Sequence, residues 1–225
     1  MKKTTLWALS ALSVLSYTVN AADLKLTTDK EKLSYALGVQ IGQDFKQRKF
    51  DINTDTFVVA IKDMLADKKP QLSKAEITAV FQKLQKAQME MQQAASGENS
   101  KKGKAFLAKN KNEKGIITLD SGVQYRIITE GKGKRPSASN SVVAHYTGTL
   151  INGTVFDSSV ERGEPATFPV NGVIKGWQEV LQLMKTGAKW KVFIPPELAY
   201  GERGAGADIG PNETLIFEIE LLEIK

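Results

Sequence analysis

The sequence predicts an α+β protein: an all-helical N-terminal half, a long connecting helix, and a C-terminal half in which a bent antiparallel sheet wraps over one short helix. Three observations predict it. Apolar residues recur at helical spacing in the first half, behind two capping boxes, Thr28-Asp-Lys-Glu31 and Ser73-Lys-Ala-Glu76. After Lys114-Gly115 the pattern changes to alternation, in runs punctuated by Gly, Asn and Asp. Only Trp177–Met184 returns to a helical pattern. Helices first and strands afterwards segregate into an α+β arrangement.

The chain opens on a basic Met1-Lys-Lys3, followed by the apolar run Leu6–Val19. That run has the length of a signal h-region and is too short to span a bilayer as a mature helix. Val19-Asn-Ala21 fits a small-x-small cleavage site, so residues 1–21 are expected to leave as a signal peptide. No Cys follows the site, which argues against a lipoprotein. No later run is apolar enough to span a membrane, so the mature chain is expected to be exported without a membrane span.

Thr28 caps a first helix with Leu33, Ala36, Leu37, Ile41 and Phe45 on its apolar positions. Asn53 or Thr54 caps a second, carrying Phe57, Ile61 and Leu65 on one face, and Pro70 closes the region. These two helices make up a module over residues 22–72. Ser73 opens the connecting helix, residues 73–113, in which Ile77, Val80, Leu84, Ala87 and Met91 step by three and four as a and d positions do. Polar residues dominate after Ala95, apart from Phe106 and Leu107, and Gly97 and Gly103 each weaken a helix by about 1 kcal/mol against Ala. That stretch reads as a solvated spacer with bending at the glycines. Short helices cannot bury this much apolar surface alone. They either pair with a second copy or pack as a three-helix monomer against the C-terminal half.

Residues 114–225 form the second domain. Strands are predicted over Ile116–Leu119, Val123–Thr129, Val142–Leu150, Ala166–Val170, Ala188–Ile194 and Thr214–Glu223. Asn152-Gly153 between apolar runs is a hairpin signal. The Gly201–Gly210 loop lacks the G-x-G-x-x-G spacing of a dinucleotide site and is expected to overhang a pocket instead.

Composition removes several function classes. The 225 residues contain no Cys and one His, which excludes disulfides, thiol nucleophiles, Cys-type zinc sites and histidine clusters. The formal charge of +6 becomes +4 once Lys2 and Lys3 depart. This mild excess, without Arg runs or interleaved aromatics, does not indicate nucleic-acid binding. Two-fifths of the chain is hydrophobic, enough for a packed core.

Five ordered strings carry a resemblance: Val143-Ala-His-Tyr-Thr-Gly-Thr-Leu150, Gly153-Thr-Val-Phe-Asp-Ser-Ser159, Val173-Ile-Lys-Gly-Trp177, Ile194-Pro-Pro-Glu-Leu-Ala-Tyr-Gly201 and Thr214-Leu-Ile-Phe-Glu-Ile-Glu-Leu-Leu222. Together they resemble the FKBP family of peptidyl-prolyl isomerases. The helical N-terminal half is similar to the Mip-like (macrophage infectivity potentiator) branch of bacterial FKBPs. The resemblance implies cis/trans isomerisation of X–Pro bonds with no cofactor and no metal. It further implies a homodimer through the N-terminal helices, proline-containing polypeptide clients, chaperone activity and a virulence role. Macrolides such as rapamycin are the implied inhibitors. The implied location is the periplasm or outer-membrane surface of a Gram-negative bacterium.

By position in these motifs, Trp177 is the implied floor under the proline ring. Tyr146, Phe156, Val173, Ile174 and Phe217 are its walls, with Phe168 beside them. The Ile174 backbone N–H and the Tyr200 hydroxyl would meet substrate carbonyls. Asp157 would stand at the rim with Arg162 and Tyr146 as partners, and Ile209 would add an apolar contact from the flap. His145 alternates to the face opposite Tyr146 and is read as structural. Three positions depart from the family pattern: Ala166 where many members carry a bulky aromatic, and Ala205 and Asp208 in the flap. They bear on substrate preference and inhibitor affinity.

The chemistry asks for little. An amide rotates over a barrier of ~18–20 kcal/mol, in tens of seconds unassisted for X–Pro. No bond is made or broken, so no nucleophile is needed. A millionfold acceleration takes ~8 kcal/mol of preference for the twisted amide over the planar one. An apolar pocket with a few placed donors supplies such a preference. The alternative is a non-catalytic holdase or a surface binder of proline-bearing loops.

Overall fold

The computed structural model describes residues 25–48 and 50–225, so the predicted leader and its cleavage site lie outside the described residues. The chain divides into two compact units, one ending at Thr54 and the other running from Asp55 to Lys225.

The first unit carries helix α1, Asp29–Gln47. The predicted capping box is formed: the Glu31 N–H donates to Thr28 Oγ1 at 3.2 Å, and the Thr28 N–H donates to Glu31 Oε2 at 2.8 Å. No residue of α1 is buried, and Leu33, Leu37 and Ile41 remain exposed to solvent.

Helix α2 covers Thr54–Leu65, and helix α3 runs without interruption over Lys74–Asn110. At 1.5 Å per residue α3 is about 55 Å long. Its first half leaves Val80 and Met91 exposed and Ile77 and Leu84 only half-buried. The second half overturns the expectation of a solvated spacer. The helix passes through Gly97 and Gly103, and its last four turns pack on the C-terminal sheet domain. Gly103 is buried against Thr214, the Phe106 and Phe193 rings lie 5.8 Å apart, and Asn110 donates to Gln124 Oε1 at 2.8 Å. Gln124 in turn donates to the Leu107 carbonyl at 3.0 Å. Apart from Phe106, the seam uses a glycine and polar side chains, so hydrophobic periodicity carried little trace of it. Gly103 sits where a side chain would overlap the Thr214 hydroxyl.

Seven strands follow: β1 Ile116–Thr118, β2 Gln124–Thr129, β3 Ser141–Leu150, β4 Val155–Ser158, β5 Ala166–Pro169, β6 Lys189–Ile194 and β7 Leu215–Ile224. They form one antiparallel sheet in the order β1-β2-β6-β7-β3-β4, with β5 also on β3. Strand β4 was not among the predicted runs, since it is four residues long and ends in Asp157-Ser158. The Asn152-Gly153 turn delivers it, with the Leu150 N–H bonded to the Thr154 carbonyl at 2.9 Å. Register shifts at Val143/Ala144, Gly148/Thr149 and Ile127/Thr129 bend the sheet.

Helix α4, Lys175–Leu183, lies in the bend. It starts two residues earlier than predicted, so Gly176 and Trp177 both fall in its first turn. Trp177, Val180 and Leu181 are buried with Tyr146, Ile194, Leu215, Phe217 and Ile219 in one core. Single 3₁₀ turns at 170–172, 196–198 and 201–203 complete the domain. No described helix is long and apolar enough to cross a membrane.

Candidate active site

A cavity of about 310 Å³ opens between α4, the sheet and the segment around Tyr200. Its position follows from local sequence. Strand β3 alternates strictly, which turns Tyr146 inward and His145 outward. His145 Nδ1 lies 3.1 Å from Ser159 Oγ, and the same hydroxyl accepts the Tyr146 N–H at 2.8 Å. His145 does not line the cavity. At the start of α4, a Cβ on Gly176 would stand 2.9 Å from Ile194 Cδ1. The missing side chain lets the first turn settle onto β6 and lowers the next residue, Trp177, into the core.

Trp177 is 4% exposed and organises the cavity. Tyr146, Phe168 and Phe217 stand nearly edge-on to its indole, with centroids at 5.4, 5.6 and 5.3 Å and interplanar angles of 87°, 75° and 84°. Phe156 continues the wall, edge-on to Phe217 at 5.5 Å. Edge-to-face contacts suit the quadrupoles of aromatic rings and add about 0.5–1.5 kcal/mol per pair beyond area burial. Val173 and Ile174 close the side next to α4, and Tyr200 stands at the mouth, 40% exposed. Among the described residues, neither the Ile174 backbone N–H nor the Tyr200 hydroxyl has a protein hydrogen-bond partner. Two donors are thus available at the edge of an aromatic cleft.

Asp157 supplies the charged element. The Tyr146 hydroxyl donates to one carboxylate oxygen, and Arg162 donates to the other. Arg162 Nη2 also donates to the Tyr146 hydroxyl at 2.9 Å, and its guanidinium lies 5.7 Å from the Tyr146 ring centroid. Burial raises the Asp157 pKa, but the hydrogen bonds from Tyr146 and Arg162 outweigh it, and the carboxyl ends below its ordinary value. Burial lifts the Tyr146 phenol, with the Asp157 hydrogen bond adding to it. Burial, followed by the Asp157 charge, lifts Tyr200. At neutral pH the site therefore holds a carboxylate and two protonated phenols. Both Asp157 oxygens already accept internal hydrogen bonds, one from Tyr146 and one from Arg162.

Nine of the eleven residues expected at the site line this one cavity: Tyr146, Phe156, Asp157, Phe168, Val173, Ile174, Trp177, Tyr200 and Phe217. Arg162 is outside the lining and bonds to Asp157 and Tyr146. Ile209 differs: it is 9% exposed, pairs with Ala205 across a tight bridge and belongs to the core. It is not among the residues that line the cavity. Phe168, two residues along β5 from Ala166, supplies the aromatic wall on that side. Gly172 also lines the cavity, and sequence reading missed it because its contribution is backbone alone. Among the described residues, no group of three or more His, Asp or Glu side chains comes together as a metal site would need.

Comparison with known proteins agrees with this geometry. Residues 132–222 match the family model "FKBP-type peptidyl-prolyl cis-trans isomerase", and residues 30–127 match the "domain amino terminal to FKBP-type peptidyl-prolyl isomerase". The chain is 48% identical to "Outer membrane protein MIP" of Legionella longbeachae, over 89% of this chain and 88% of that one. It is 45% identical to "Peptidyl-prolyl cis-trans isomerase Mip" of Coxiella burnetii, over 100% of this chain and 99% of the other. Among solved structures, FkpA from Escherichia coli superposes with a TM-score of 0.64 at 38% identity, covering 89% of this chain and 99% of FkpA. Fold, cavity and sequence similarity lead to one conclusion: the chain belongs to the FKBP-type peptidyl-prolyl cis-trans isomerases.

Proposed function

We propose that this chain isomerises X–Pro bonds in exported polypeptides, with the Trp177 cavity as its active site. The observation that carries this is an aromatic cleft of about 310 Å³ edged by two donors that have no protein partner among the described residues, the Ile174 N–H and the Tyr200 hydroxyl. The proline ring enters over Trp177, between Tyr146, Phe156 and Phe217. The Ile174 N–H and Tyr200 hydroxyl hold the carbonyls on either side of the rotating bond. As the amide twists it loses resonance and part of its charge separation, and the apolar walls favour that form. The Asp157–Tyr146–Arg162 hydrogen bonds place Tyr146 in the wall before substrate arrives, which lowers the cost of reorganisation. Rapamycin-type macrolides compete for the same cavity.

The helices support a homodimer. Leu33 and Leu37 of α1, Val58 and Met64 of α2, and Val80 and Met91 of α3 are exposed in the single chain. A second copy covers such faces, and two clefts in one dimer can hold a client as well as turn its prolines. The leader pattern and the name of the Legionella relative support export to the periplasm or outer-membrane surface.

The test is refolding of a polypeptide whose slow phase is X–Pro isomerisation. The slow phase should accelerate in proportion to added chain. A slow phase that shortens only by disappearance of aggregates, with its rate unchanged, would favour a holdase without catalysis.

A further inference from the structure

Tyr200 opens a glycine-rich segment, residues 200–214, that leads back to β7. Gly201, Gly204, Gly206 and Gly210 leave it much backbone freedom. Three successive contact positions of α3 restrain its far end. Ser96 Oγ accepts from the Asn212 side-chain amide at 2.8 Å. Nearly one turn on, Asn99 donates to the Pro211 carbonyl at 2.9 Å. One turn further, Gly103 packs on Thr214, which is fully buried. Spacings of three and four place all three on one helix face. Asn212 joins this clamp to the active site. Its backbone, in the left-handed region at φ 54°, donates to the Gly201 carbonyl at 2.8 Å, next to Tyr200. Two hydrogen bonds therefore lead from α3, through Asn212, to the residue that follows Tyr200.

We propose that Ser96 and Asn99 are positioning residues: they fix the base of the 200–214 segment and so hold the Tyr200 hydroxyl at the mouth of the cavity. The inference rests on the reading of Tyr200 as a substrate donor. It assigns α3 a part in the isomerase site itself, although the helix contributes no lining residue. Neither side chain is apolar, and both would be replaceable in a simple spacer. Alanine keeps helix propensity at least as high at either position, so the helix survives the test.

The test uses the full chain with the double variant Ser96→Ala/Asn99→Ala. Hydrogen exchange of the Ala205 and Asn212 amides, both bonded inside the segment, should accelerate about tenfold. The kcat/KM for an X–Pro peptide should fall several-fold while the unfolding midpoint changes little. Ser96→Thr, which keeps a hydroxyl, should retain the wild-type rate. In a Tyr200→Phe background the double variant should cost no further activity, because both act through one hydroxyl. Wild-type exchange in the double variant, or a full additional loss in the Tyr200→Phe background, overturns the proposal. Failure of the Tyr200 reading shows separately, as a Tyr200→Phe chain with the wild-type rate.

Discussion

Gly103→Ala separates a docked α3 from a free one. In a solvated helix the substitution stabilises by about 1 kcal/mol. Gly97 provides the control: it is exposed, and an added methyl there meets nothing within 4 Å. Gly97→Ala should show the full gain. At Gly103 the methyl overlaps the Thr214 hydroxyl oxygen and reaches 3.4 Å from Thr214 Cβ. Thr214 is fully buried, so its hydroxyl has no solvent to swing into. Overpacking of this kind costs about 1–3 kcal/mol. Set against the helix gain, Gly103→Ala should fall between neutral and about 2 kcal/mol destabilising. Thr214→Ala removes the offending oxygen and leaves only the ordinary 3.4 Å contact. That hydroxyl is buried without a hydrogen-bond partner, a state that itself costs about 1–3 kcal/mol, so its loss should be mild. The double variant should then recover the helix gain, with a coupling of about 1–3 kcal/mol. Urea unfolding followed by Trp177 and Trp190 fluorescence measures all four chains, at one protein concentration since association shifts the midpoint. Equal stabilisation by Gly97→Ala and Gly103→Ala, with additivity at Thr214, would refute the docking.

Other outcomes follow from the same geometry. Trp177→Ala removes the ring that three others abut and should cost about 3–5 kcal/mol of stability by denaturant titration, with loss of isomerase activity. Arg162→Ala should barely move the unfolding midpoint, because both partners are nearly half exposed to solvent. It should nevertheless raise the Asp157 pKa seen by NMR titration. The sign is that of a depressed carboxyl: its contribution is present above the unfolded value near ~3.9 and fades as pH falls through the lowered folded value, so removing Arg162 moves the decline upward. Glu31, held at about 2 by the Thr28 and Thr27 N–H groups, should support α1 above the usual Glu range of ~4.3 and lose that support as pH falls towards 2. Carboxyl NMR titration should show this, and Glu31→Gln should remove the pH dependence from the start of α1.

The sequence exposed those features whose physics is local. Capping boxes at Thr28 and Ser73 mark helix starts because both partners lie within one turn. Strict alternation set the face of Tyr146 and of His145. Phe156 and Asp157 could be placed by motif, but β4 itself could not: four residues ending in a polar pair lack the length for a period to show. Ile209 lies in the core beside the cavity and not in its lining, a placement set by a loop whose path shows no period in the sequence. The docking of α3 was the largest omission. Apart from Phe106, its contacts are a glycine, a serine and asparagines, and those of Ser96 and Asn99 reach residues more than a hundred positions away; a polar face looks the same on paper whether water or protein covers it.

The most direct measurement of the central claim is exchange NMR on a short X–Pro peptide, with the wild type beside Tyr200→Phe and Asp157→Ala. The cavity geometry predicts a large rate enhancement by the wild type, reduced about tenfold or more in each folded variant. A folded wild type that leaves the exchange rate at its uncatalysed value would contradict it.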